Sequence, residues 1–357
     1  MRGTRASGRG RAAPAAALMV VVAVFFFLAA ASANAAVIYN PVVNTMIANV
    51  TQAQLQPAVN ELSGETPAVV GGLPFTIVTR ASSSGTPIDR AEQYVYERLQ
   101  AYGLSSVAYQ SFPGKGGSVP PGRNIIGQIN GTTKAGEVIV VGAHLDDRPW
   151  PTAGPIAPGA DDDASGCSAN LCLARSFAGK TFARTIRFVF FGDEENAPWT
   201  SSSYGSGYYA AQCKAAGENI VAMIQADALA WNGSNNGIVY MNTRTTKKDP
   251  GGGDHAIVTM WQQAVATYAI TGIAATLNAS GDNLSDHGSF WAKGYPAVLF
   301  IEDDVSQVNP NWHTANDKVS TFRWPYYVQV TKSLVAVAAH EAGILTTASP
   351  APATRYR

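Results

Sequence analysis

Four apolar runs, each leading into a residue that can bind a metal or move a proton, constrain the fold of this chain more than any other feature. The first is Glu137-Val-Ile-Val-Val-Gly142, followed by Ala143-His144-Leu145-Asp146. The second is Thr185-Ile-Arg-Phe-Val-Phe-Phe191, followed by Gly192-Asp193-Glu194-Glu195. The third covers 220–226 and stops at Asp227; the fourth covers 297–301 and leads to a loop ending Trp312-His313. Runs of this kind read as strands covered on both faces, the signature of parallel sheet. Helical patterns lie between them, over about 165–177, 205–216 and 255–268, with a last helix at about 326–342. Ahead of them a polar helical segment covers 51–62, and Thr86-Pro87 opens a helix whose Ile88, Ala91, Val95 and Leu99 share one side before Gly103 stops it. Short strands follow at Ser106–Phe112 and 124–129. Strands alternating with helices predict an α/β fold: one three-layer domain with a central, mostly parallel mixed sheet and helices on both faces. With 46% hydrophobic residues there is ample material for one large core.

In such sheets ligands bind beyond the carboxyl ends of the strands. That makes His144, Asp146, Glu194, Glu195, Asp227 and His313 the candidates. Between the first two runs lies Gly159-Ala160-Asp161-Asp162-Asp163-Ala164-Ser165-Gly166. Three adjacent carboxylates repel one another, and a bound cation would relieve them. Taken singly each residue has an ordinary explanation, from solvated turn to helix cap; together, imidazoles and carboxylates at successive strand ends suit zinc, with room for manganese or cobalt. Their number favours two ions. Asp162, the middle acid, has two oxygens with which to bridge them. Adjacent side chains on an extended segment point apart, so one of Glu194 and Glu195 can ligate while the other serves as a base.

In their order these pieces resemble the secreted di-zinc aminopeptidase family, which includes bacterial leucyl aminopeptidases and is related to glutamate carboxypeptidase. The matching stretches are His144-Leu145-Asp146, Gly159 to Gly166, Glu194-Glu195 with Gly205-Ser206-Gly207-Tyr208-Tyr209, Asp227, Ser285-Asp286-His287 and His313-Thr314-Ala315-Asn316-Asp317. They span about residues 86–345. The resemblance implies a zinc exopeptidase fold and two Zn2+ ions per chain, one held by His144, Asp162 and Asp227 and the other by Asp162, Glu195 and His313. It further implies Glu194 as general base, Asp146 as the partner of the second ring nitrogen of His144, and peptide or protein N-termini as substrate. Ser285-Asp286-His287 is assigned no catalytic part. Two departures stand out: Trp312 occupies a position where family members often carry tyrosine, and the stretch 196–204 is longer than in compact members. A single-zinc glutaminyl cyclase, a di-zinc carboxypeptidase and a non-catalytic peptidase-like binding domain are the competing readings on this scaffold.

The N-terminus carries its own signal. Arg2, Arg5, Arg9 and Arg11 precede an apolar run over 15–31, and Ala33-Asn34-Ala35 matches a cleavage pattern. Residues 1–36 therefore read as a secretory signal peptide, 37–345 as the catalytic domain and 346–357 as a disordered tail. Secretion is expected, with no stable membrane insertion after cleavage. Removing four arginines from 25 basic residues leaves 21 against 25 acids, a formal charge of −4. Nothing in that balance suggests nucleic-acid binding, and a monomer is expected. Cys167, Cys172 and Cys213 read either as buried thiols or as containing one pair that includes Cys213.

Overall fold

The computed structural model describes residues 36–113, 122–149, 156–196, 201–302 and 309–345. The leader (1–35), the tail (346–357) and the centre of the 196–204 stretch lie outside the described residues. In chain order the helices are α1 (Pro41–Ala48), α2 (Gln52–Leu62), α3 (Thr86–Ala101), α4 (Ala164–Phe177), α5 (Gly205–Ala215), α6 (Gly253–Thr267), α7 (His287–Ala292) and α8 (Trp324–Glu341). The strands are β1 (Ala68–Val70), β2 (Leu73–Phe75), β3 (Ser106–Phe112), β4 (Gly122–Ile129), β5 (Lys134–His144), β6 (Thr181–Phe182), β7 (Arg184–Phe191), β8 (Asn219–Ala226), β9 (Ile238–Asn242), β10 (Ala274–Asn278), β11 (Ala297–Glu302) and β12 (Ile344–Leu345).

Eight strands form the central sheet in the order β10-β9-β11-β8-β5-β7-β4-β3. The four apolar runs are its middle: β5 pairs in parallel with β7 and β8, and β8 with β11. Antiparallel pairing enters on both sides, through β4 with β7 and β3, and β9 with β11. The sheet is thus mixed, with a parallel centre, and the strands that carry candidate residues end on one edge.

Alternation along these strands divides the core. Ile139, Val141, Phe188, Phe190 and Ile224 face one side, where they pack into the larger cluster with α2, α3, α4, α6 and α8. Val138, Val140, Val189, Phe191 and Met223 face the other, against Tyr209, Cys213 and Phe290 of α5 and α7. Side chains that alternate across a sheet covered on both faces produce this two-sided pattern. All three cysteines are free and buried, so the disulfide alternative is not realised. Among the described residues no helix is long and apolar enough to cross a membrane.

Helix α4 brings the acidic loop to the sheet. Asp163 is its N-cap: Oδ1 accepts from the amide of Gly166 at 2.8 Å. The same carboxylate accepts from the amides of His144 (3.1 Å) and Ala228 (3.2 Å). One side chain therefore joins the helix start to the ends of β5 and β8. The approach is close enough to require glycine: a Cβ on Gly166 would lie 2.4 Å from the carbonyl oxygen of Ala226.

Candidate metal centre

His144 ends β5, Asp227 follows β8, and the Glu194–Asn196 turn follows β7. His313 comes from the loop after β11, and Asp162 from the loop before α4. All five candidate ligands and Glu194 are buried. Glu194 and Glu195 sit on a single turn of 3-10 helix rather than on the extended segment expected.

Asp162 lies between the two histidines. Its Oδ1 is 3.1 Å from Nε2 of His144, and its Oδ2 is 3.1 Å from Nε2 of His313. Asp227 Oδ1 lies 3.4 Å from His144 Nε2, and Glu195 Oε1 lies 2.9 Å from His313 Nε2. Two three-residue groups result, His144–Asp162–Asp227 and Asp162–Glu195–His313, in each of which the donor atoms lie within 4.8 Å of one another. Donors about 2.0–2.1 Å from a tetrahedral zinc ion stand roughly 3.3 Å apart. The observed spacings fit that requirement in both groups, and Asp162 is common to them. A third group, His144–Glu194–Glu195, puts Glu194 beside the same imidazole.

The ring of His144 is set for ligation. Its Nδ1 lies 3.1 Å from the main-chain oxygen of Asp146, a partner that only an N–H can satisfy, which turns the Nε2 lone pair toward the carboxylates. The bond expected from Asp146 is thus made by its main chain; its carboxylate is 3.9 Å from that nitrogen. It instead accepts from the amides of Glu194 (3.0 Å) and Glu195 (3.2 Å) and from the hydroxyl of Ser82 (3.0 Å). The reason is local, because the 3-10 turn turns its first amides toward Asp146.

Electrostatics agree with a cation-binding basin. Burial opposes ionisation of Asp162, yet hydrogen bonds and charge from His144 and His313 hold it well below the usual carboxylate range. Burial would discharge His144, but Asp227, Glu194 and Asp162 raise its proton affinity well above normal. Glu194 is pushed up by burial and by Glu195, Asp286 and Asp227; Glu195 is pushed up by burial and by Asp162. In this geometry a proton on His144 offsets charge that divalent ions would offset better.

Further residues support the ligands. Asp317 receives the amides of Asp161 (3.0 Å) and Asp162 (3.1 Å), and its main-chain oxygen receives that of Ala160. Asp161 accepts from the amide of Ala230, and Ser285 donates to Asp227 Oδ2 at 2.7 Å. The sequence had placed Asp317 and Ser285 in motifs without giving either this contact.

The sequence model for peptidase family M28 matches residues 124–338. The chain belongs to peptidase family M28. Its M28 segment contains all of these candidate residues. Among curated relatives, a protein named probable leucine aminopeptidase from Arthroderma otae is 30% identical over 192 residues, covering 52% of this chain and 49% of that relative. The chain therefore spans about half the length of that relative. Among solved structures, the Legionella pneumophila LapA aminopeptidase aligns with TM-score 0.68 at 21% identity, covering 87% of this chain and 78% of LapA. The Porphyromonas gingivalis glutaminyl cyclase aligns with TM-score 0.58 at 21% identity, covering 84% and 98% of the two chains. At such identities both show that the M28 fold is shared.

Proposed function

We propose that this chain is a secreted zinc aminopeptidase that removes N-terminal residues from peptides or proteins. One Zn2+ would be held by His144, Asp162 and Asp227 and the second by Asp162, Glu195 and His313. The observation that carries this reading is Asp162, whose two oxygens face two different histidines at equal distance. Ions bound there would polarise the scissile carbonyl and acidify the attacking water.

The chain's own residues do the rest. Glu194, beside His144 and not needed in either of the two groups that share Asp162, accepts the proton of the attacking water and returns it to the leaving amine. Asp146 serves both partners: its main-chain oxygen orients His144, and its carboxylate fixes the turn carrying Glu194 and Glu195. The excess of buried acid attracts the ammonium group of a free N-terminus, which favours exopeptidase action. Trp312, partly exposed and in contact with Asp162 and His313, suits an apolar N-terminal side chain at the rim. The leader at 1–36 supports export, and a monomer suffices because one chain supplies every group.

Glutaminyl cyclisation on one zinc is the second reading, favoured by the shared fold of the Porphyromonas gingivalis enzyme. Turnover of a panel of aminoacyl-arylamides and C-terminal dipeptides, with and without chelator, combined with metal counting, separates the readings. Two ions per chain and chelator-sensitive arylamide hydrolysis are expected. One tightly held ion with no arylamide hydrolysis overturns the aminopeptidase reading.

A further inference from the structure

Arg80 lies before α3, outside the segment that matches family M28. It is fully buried, yet its guanidinium lies 3.9 Å from the nearest carboxylate oxygen of Asp147. Its hydrogen bonds go to main-chain carbonyls. Nε donates to Leu145 (2.7 Å), Nη1 to Leu62 (2.9 Å) and Pro158 (2.7 Å), and Nη2 to Gly159 (2.9 Å). Asp147 holds the base of the side chain: its Oδ2 accepts from the Arg80 amide at 2.6 Å and its Oδ1 from the Thr79 hydroxyl at 3.0 Å.

These acceptors are not scattered. Leu145 follows His144, and Gly159 stands three residues before Asp162. A single planar group thus ties the end of β5 to the acidic loop and to the last residue of α2. There is no slack at the joint. Gly159 has φ +53°, and a Cβ on it would lie 2.8 Å from Nη2 of Arg80 and 2.4 Å from the carbonyl oxygen of Asp162. Lysine would keep the charge but not the fork, since an ammonium on a flexible stem cannot meet four carbonyls in these directions. Charge-assisted bonds of this kind are stronger than neutral ones, and a buried carbonyl left bare is costly.

We propose that Arg80 is a positioning residue for the metal centre, fixing the separation of His144 from Asp162 so that both face one ion. This rests on the two-ion reading above. The competing role is a clamp that stabilises the fold and leaves that separation unaffected.

Cobalt(II) uptake distinguishes them. The full-length protein is stripped with chelator and titrated with Co2+ against a chromophoric chelator, and the visible absorption of the bound ion is recorded. For Arg80→Lys, Co2+ affinity is expected to fall by about 10-fold or more, with an altered visible spectrum, as for loss of groups that orient ligands. Val337→Ala, a core truncation in α8 remote from the ligands, is the control: it lowers the melting temperature but keeps wild-type affinity and spectrum. If Arg80→Lys does not fold, Thr79→Val and Asp147→Asn loosen the same clamp and carry the same readout. An Arg80→Lys protein, or that substitute pair, that melts early yet matches wild type in Co2+ affinity and spectrum overturns the inference alone. Wild-type protein that takes up no Co2+ overturns the metal-centre reading, and this inference with it.

Discussion

The indole N–H of Trp312 donates to Oδ2 of Asp162, the oxygen that also faces Nε2 of His313. The indole lies against the His313 ring, tilted by 30° with centroids 3.8 Å apart. An ion between Asp162 and His313 would compete for that oxygen and release the indole N–H toward a substrate carbonyl. Trp312→Phe keeps an aromatic ring beside His313 and removes the donor. Its kcat is expected to fall by about 100-fold with KM nearly unchanged and metal content intact, the size of effect seen when one oxyanion donor is removed. A kcat equal to wild type would show that the indole does not act on the reacting carbonyl.

Glu194→Gln preserves size and removes the proton acceptor. Arylamide turnover should drop by roughly 10²–10⁴-fold. Metal analysis of the same preparation should match wild type, because His144, Asp162, Glu195, Asp227 and His313 remain. Full activity in this variant would transfer the base to another residue.

Asp163 ties together the start of α4, the end of β5 and the residue after Asp227. Asp163→Ala strands the amides of Gly166, His144 and Ala228. At about 1–3 kcal/mol for each buried unsatisfied group, partly relieved by relaxation, unfolding in urea should show a loss of about 3 kcal/mol or more. Asp163→Asn, which retains one acceptor oxygen, should lose clearly less.

Glu341, at the end of α8, is nearly fully buried, and burial raises its carboxyl to about 7 against a modest opposing pull from Arg184. A raised folded-state value means that the folded protein holds a proton the unfolded chain has released. The contribution is fully present below about pH 4.5 and is lost as pH rises through 7. Glu341→Gln removes this dependence. Relative to its offset at pH 4, the variant should gain up to about 3 kcal/mol on wild type at pH 8, the ceiling set by about 1.4 kcal/mol per unit. Urea melts of both proteins at the two pH values measure it; an offset independent of pH would show that Glu341 titrates normally.

The middle of the sheet was legible because strands covered on both faces must be largely apolar, as 138–143 is, and as 186–191 is apart from Arg187. Their last residues then become conspicuous as the first polar groups. β9 and β10 were missed for the opposite reason. They are five residues each, too short for a pattern to stand out: β9 is mostly buried, while β10, at the sheet edge, is exposed or partly exposed throughout. The chain around Asn40-Pro41 did carry a helix start, since Asn40 caps α1 through its side chain and proline suits the first turn. Asp146 illustrates a different limit. The resemblance implied a bond from Asp146 to the second ring nitrogen of His144, but which of its atoms makes that bond is settled only by the local chain path, which presents the main-chain oxygen. Arg80 had no legible signal, because what it binds is main-chain carbonyls, which every sequence supplies.

Three non-glycine residues with left-handed backbone lie at the site: Asp193 (φ 61°), Ala228 (φ 47°) and His313 (φ 58°). Each is next to a candidate ligand or proton acceptor, or is one. For β-branched side chains this region is strongly disfavoured, while glycine, asparagine and aspartate tolerate it. A saturation scan scored by activity would therefore reject valine and isoleucine at Asp193 and Ala228, as it would at a catalytic position. Accepted glycine and asparagine there would mark these positions as selected for chain direction, a mutational fingerprint distinct from that of the groups that do the chemistry.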